Sequence, residues 1–101
     1  MLVSVDRLDS HWLFQLEGEL TVTSAAELRV LLLEWLAAGK DLLLDLERAE
    51  SIDVAVLQLL WVAGREAARA GVGVVSSVSA AVACIAREAG FPRLPGAPVQ
   101  V

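Results

Sequence analysis

Side chains suited to catalysis are few in this sequence of 101 residues. It has one histidine, His11, one cysteine, Cys84, and two acids beside apolar runs, Asp45 and Asp53. Proton transfer and nucleophilic attack need polar groups that converge, an acid or base next to a nucleophile. His11 follows Asp9-Ser10 in a predicted hairpin turn, where a solvated histidine is expected. Cys84 falls on a predicted helix near Arg87 and Glu88 with no histidine close in sequence; it reads as a small half-buried residue, with redox or nucleophilic thiol chemistry as the alternative. Asp45 fits a strand position and Asp53 a helix cap, and two carboxylates are too few oxygens to hold a hard cation. No Walker-type glycine loop is present. The expectation is therefore no enzyme, no metal site and no cofactor.

Asp53 opens a different line. It stands at the head of Val54–Gly64, VAVLQLLWVAG, in which Gln58 is the one polar side chain. An aspartate there can accept hydrogen bonds from the free amides of a first helical turn. A surface helix should carry a polar face, and this one nearly lacks it until Arg65.

Composition narrows the partner. Hydrophobic residues make up 56%, above the ordinary share of about 45–50%. Glu34, Asp41, Asp45, Glu47 and Asp53 interrupt the apolar runs before any reaches the length of a bilayer span. The first residues, MLVSVDRLDS, lack the basic start and apolar stretch of a signal peptide, and a lone cysteine suits a reducing cytoplasm. A net charge of −5, without a basic cluster, disfavours nucleic acid. The surplus apolar surface is then expected to meet another protein.

The elements that position Asp53 follow from periodicity. Leu2–Leu8 and Trp12–Gly18 read as two strands joined by a hairpin. Ser24, with Glu27 three residues on, predicts a capping box for a helix over 25–38, stopped by Gly39. Asp41–Leu46, DLLLDL, reads as a strand buried on both faces. A second helix is expected over 54–70, ended by Gly71, and Val72–Ser76 as another central strand. Ser79 or Ser77 caps a third helix through Ala89, closed by Gly90, and the proline-bearing tail from Phe91 reads as mostly irregular. The sum is one α/β domain over 1–101, order ββαβαβα, with a parallel crossover in its second half.

At 100° per residue, Val56, Leu57, Leu60, Ala63, Gly64 and Ala67 form the core stripe of the second helix. Gln58, Arg65 and Arg69 mark its outer side, and Val54, Ala55, Trp61 and Val62 share that side. On the first helix Leu28, Leu31, Leu32, Trp35 and Leu36 face the core, while Ala26, Val30, Leu33 and Ala37 repeat on a second stripe. Scattered apolar residues are ordinary on surfaces. A tryptophan and two valines beside a helix N-terminus form a cluster, and clusters mark partners.

The run from Gly18 to Gly71 resembles the STAS domain of bacterial anti-sigma factor antagonists. The resemblance rests on Gly18-Glu19-Leu20, the strand 42–46 with Asp45, Ile52-Asp53 before the second helix, Gly71, and Ala89-Gly90-Phe91. It implies a STAS-like fold, a small mixed β-sheet with three main helices. In that family the residues after the central strand read Asp, Ser or Thr, Ser or Ala, Gly, Leu, and a partner kinase phosphorylates the second hydroxyl position. Phosphate would add about −1.5 to −2 charges at an apolar contact and eject the partner. The matching residues here are Asp53, Val54, Ala55, Val56 and Leu57, so Ala55 occupies a phospho-acceptor position without a hydroxyl.

What the resemblance implies is a cytoplasmic, non-catalytic regulatory module. Its expected docking residues are Asp53, Val54, Ala55, Gln58, Trp61 and Val62. The partner would be an anti-sigma factor or its kinase, the ATPase of a phospholipid-transport ABC system, or a chemotaxis kinase. A self-associating scaffold, a homodimer through either helix stripe, stands as the alternative.

Overall fold

The computed structural model describes residues 1–91. Its elements are β1 (Leu2–Arg7), β2 (His11–Leu20), α1 (Val22–Ala38), β3 (Asp41–Leu46), β4 (Ala49–Ile52), α2 (Val54–Ala70), β5 (Val74–Val78) and α3 (Ala80–Glu88). The class is mixed α/β, as the sequence implies, with one strand more than expected: β4 makes the order ββαββαβα.

β1 and β2 form an antiparallel hairpin. β3 then lies parallel to β2, and β5 parallel to β3, giving the order β1-β2-β3-β5. β2 changes partner along its length. Its first half pairs with β3, and its last residues pair with β4 after a register shift between Gly18 and Glu19. Gly18 holds φ +83 at that shift and donates its amide hydrogen to the Arg48 carbonyl at 3.1 Å. An L side chain is strained in that backbone region, which accounts for glycine at the bulge.

Alternation along the strands builds the core. Phe14, Leu16 and Leu20 of β2 and Leu42, Leu44 and Leu46 of β3 are buried in one cluster with Leu28, Leu32 and Trp35 of α1. Val56, Leu57, Leu60, Ala63 and Ala67 of α2, with Val82 and Ala86 of α3, complete it. Trp35 is fully buried, and its indole Nε1–H donates to the Lys40 carbonyl at 2.6 Å. That bond satisfies the ring's polar edge and ties the end of α1 to the start of β3.

Several local expectations change. α1 begins three residues earlier than predicted, because Thr21 and not Ser24 is its cap. The Thr21 hydroxyl accepts from the Ser24 amide, and the Ser24 hydroxyl accepts from the Thr21 amide. Ser24 thus plays the role assigned to Glu27, one turn earlier. Leu31, Leu36 and Gly64 are half-buried at the margins of their stripes. β3 is buried on one face only: Leu43 is 39% exposed. The strand predicted over 72–76 runs two residues later, and among the described residues it lies at the sheet edge. Cys84 is exposed rather than half-buried. The irregular tail predicted after Phe91 lies outside the described residues.

The second helix has the bounds its periodicity predicts. Asp53 caps it, and Gly71 ends it in the left-handed conformation with φ +74. Ser79 caps α3 by accepting from the Val82 amide at 3.2 Å, while its own hydroxyl donates to the Ala49 carbonyl.

Candidate functional site

The front of α2 is built by β4, the strand that periodicity missed. β4 pairs with the end of β2, setting Leu20 opposite Ile52, and the Asp53 amide donates to the Leu20 carbonyl at 2.8 Å. The chain leaves both strands at the same level, so α1 and α2 begin side by side. Asp53 Oδ1 accepts from the Ala55 amide at 2.8 Å, and the Asp53 carbonyl accepts from Val56 and Leu57. The carboxylate neutralises the positive end of the helix.

From this cap the helix presents the residues singled out above. Val54, Trp61 and Val62 are 45%, 45% and 49% exposed, and Gln58 is exposed between them. Ala55 is half-buried, so it sits at the margin of the patch rather than at its centre. Core and surface separate within single steps of sequence: Leu60 is 2% exposed and Trp61 45%.

The structure adds one residue to this surface and one contact within it. Val22, the first residue of α1, is 62% exposed at the neighbouring helix start. Its proximity follows from the pairing of β2 with β4, and a four-residue strand of sequence AESI carries no apolar alternation to announce it. Arg65, expected as an ordinary solvated charge, places its guanidinium carbon 4.8 Å from the centroid of the Trp61 ring. The i, i+4 spacing brings them together, and the contact holds the indole over the helix surface.

The side chains with catalytic chemistry do not assemble there. Asp45 Oδ1 accepts from the Glu47 amide at 3.0 Å, as Asp53 does from Ala55. Each carboxylate holds its own turn. His11 is the first residue of β2, half-buried, with Nδ1 2.9 Å from the Ser10 hydroxyl. Cys84 Sγ lies 3.8 Å from Glu88 Oε1, one turn along α3. Among the described residues, no three His, Cys, Asp or Glu side chains group as metal ligands, and no helix is long and apolar enough to cross a membrane.

The fold is that of an α/β protein of the STAS class. Residues 3–96 match the family model described as "Mlab, STAS domain", and the chain belongs to that family. Among solved structures it is similar to the anti-sigma factor antagonist SpoIIAA in its unphosphorylated form, with a TM-score of 0.67 and 15% identity over 74% of this chain and 71% of that one. It is also similar to part of the structure reported as a crystal structure analysis of Mglu, with a TM-score of 0.69 and 20% identity over 78% of this chain. The match spans 20% of that longer chain. A search of curated protein sequences returned no significant match.

Proposed function

We propose that this chain is a non-catalytic protein-interaction module of the anti-sigma factor antagonist type, and that it docks a partner through Asp53, Val54, Ala55, Gln58, Trp61 and Val62. The observation that carries the reading is the apolar exposure at the front of α2, where a tryptophan and two valines lie open around one glutamine. An exposed tryptophan flanked by aliphatic side chains and an arginine is the composition from which interface hot spots are drawn. Asp53 adds a fixed acceptor at the rim.

The resemblance to phosphorylated antagonists supports this location, and the residues there lack the hydroxyls that a phosphorylation switch needs. Val54 and Ala55 have no hydroxyl, so docking here is constitutive toward serine and threonine kinases. Regulation then falls to the partner's own state or to competition. The candidate partners remain those of the STAS branches: an anti-sigma factor or its kinase, a transporter ATPase, or a chemotaxis kinase.

Self-association is a second reading with an observation of its own. Ala26, Val30, Leu33 and Ala37 of α1 are all exposed along one stripe, with Val30 at 56% and Leu33 at 52%. Photo-crosslinking separates the two. A crosslinker at position 58, expressed in the cell of origin, should yield one dominant adduct with another protein, while the same group at position 84 on α3 should not. Identical adducts from both positions, or adducts of the chain with itself alone, would count against the α2 reading.

A further inference from the structure

Parallel sheets occur almost entirely with both faces covered, because their crossovers lay helices over them. This sheet is mixed, with β1 antiparallel to β2, and among the described residues the helices cover one face of its parallel part. β2, β3 and β5 are mutually parallel, and the described helices bury the face of Phe14, Leu16, Leu42 and Leu44. The other face carries a second apolar row. Register sets Leu13 opposite Leu43, and Leu43 opposite Val75. Leu43 is 39% and Val75 54% exposed, and Leu13, half-buried, is outside the core cluster. Strands lie about 4.8 Å apart, so the row runs roughly 10 Å across the sheet.

Acids surround that row. Asp6 lies opposite Leu13 on β1. Asp41 and Asp45 flank Leu43 two residues to either side, and the two-residue period of a strand puts them on its face. Beside these acids in sequence stand Lys40 and Arg7, the latter 3.0 Å from Glu34; Arg48 has its guanidinium 3.4 Å from Glu17, and His11 lies opposite Asp41. A second copy packed face to face would set three aspartates against the same three. The ten residues after Phe91 bring one basic side chain, Arg93. Charge therefore selects against a second copy and for a positive cover, and the segment after Phe91 offers a single positive side chain where the face presents three acids.

We propose that this face, uncovered among the described residues, docks a basic amphipathic helix of a partner protein. Its apolar side chains would rest on Leu13, Leu43 and Val75, and its Lys or Arg heads would reach Asp6, Asp41 and Asp45. The surface is on the opposite side of the sheet from α2 and stands independently of the docking reading there. With both surfaces in use, the chain joins two proteins.

Two synthetic 18-residue helices test this, one of leucine and lysine and one of leucine and glutamate, titrated into isotope-labelled full-length protein and followed by amide and methyl NMR. The Leu–Lys helix should shift the signals of Leu13, Leu43 and Val75, and should bind more weakly as salt rises. The Leu–Glu helix should not bind. Val75→Lys, and separately Asp6→Lys, should each weaken binding by roughly tenfold through like-charge contact; both positions are exposed, and either variant alone carries the test. The proposal is overturned by an absence of binding, by shifts confined to α1 or α2, or by equal affinity for the acidic helix. It is equally overturned by contacts from residues 92–101 onto Leu43 and Val75, or by concentration-dependent shifts of this face without peptide, which would name the tail or a second copy as its cover.

Discussion

Leu60 and Trp61 are neighbours in sequence with opposite duties, and replacing each with alanine tests the phase of α2. Leu60 is 2% exposed within the core cluster beside Trp35 and Leu44. Its truncation removes buried methyl groups and leaves a cavity, at a cost of about 2–5 kcal/mol. In a domain of this size each kcal/mol moves Tm by roughly 4–8 °C, so Leu60→Ala should melt at least about 8 °C lower. Trp61 is 45% exposed. With roughly 100 Å² of its ring covered, at about 25 cal/mol per Å² the transfer loss is near 2.5 kcal/mol as an upper bound. Alanine's better helix propensity returns about 0.5 kcal/mol. The net cost should be about 1–2 kcal/mol, and thermal or urea unfolding of the two variants should rank them in that order. Partner binding should rank them in reverse, with Trp61→Ala losing about 1–4 kcal/mol of affinity by calorimetric titration. A Leu60→Ala loss below about 0.5 kcal/mol, or unfolding by Trp61→Ala, would refute the assignment of faces.

Ala55→Asp should fold with stability within about 1 kcal/mol of wild type, since the helix N-terminus offsets the new charge beside Asp53, yet should fail to bind because the carboxylate must be desolvated against an apolar partner; undiminished affinity would remove the front of α2 from the contact. Mass spectrometry after incubation with an anti-sigma kinase and ATP should find no phosphate on Ser, Thr or Tyr between Ile52 and Leu57, because no residue from Ile52 to Leu57 has a hydroxyl. Thr21→Ala should cost about 1 kcal/mol in urea unfolding and Glu27→Ala under about 0.5, the reverse of what a Ser24–Glu27 box requires. Asp53→Ala should cost about 0.5–2 kcal/mol through the lost cap.

Helical periodicity made α2 legible to the residue, because five core positions, an aspartate cap and a glycine stop all agree. α1 was legible in its core face but not at its start. Two hydroxyl residues three apart, Thr21 and Ser24, can each cap, and the sequence alone does not say which amides are free. β4 was illegible for a physical reason: its four residues are held by pairing with a bulged β2, a long-range contact with no local apolar signature. Missing it hid Val22 from the candidate surface. The strand DLLLDL reads as buried on both faces because leucines fill both, yet among the described residues helices lie over Leu42, Leu44 and Leu46 and not over Leu43.

A strand sequence records the polarity its two faces prefer, not the neighbours that the same chain can supply. The inner leucines are satisfied by α1, α2 and α3, and Leu43 carries the same side chain with no such cover among the described residues. The same logic applies to Trp61 and Val62, which are as apolar as their buried neighbours but point away from the sheet. In both places the sequence is patterned for burial that the described chain leaves incomplete. The exposed residues differ in what surrounds them: Trp61 stands by Arg65 and Gln58, and Leu43 between Asp41 and Asp45. The α2 surface mixes the Arg65 cation with the Asp53 carboxylate, whereas the acids around Leu43 give its face one sign. On the two proposals made above, each surface takes its own partner element, and the two together would complete the pattern.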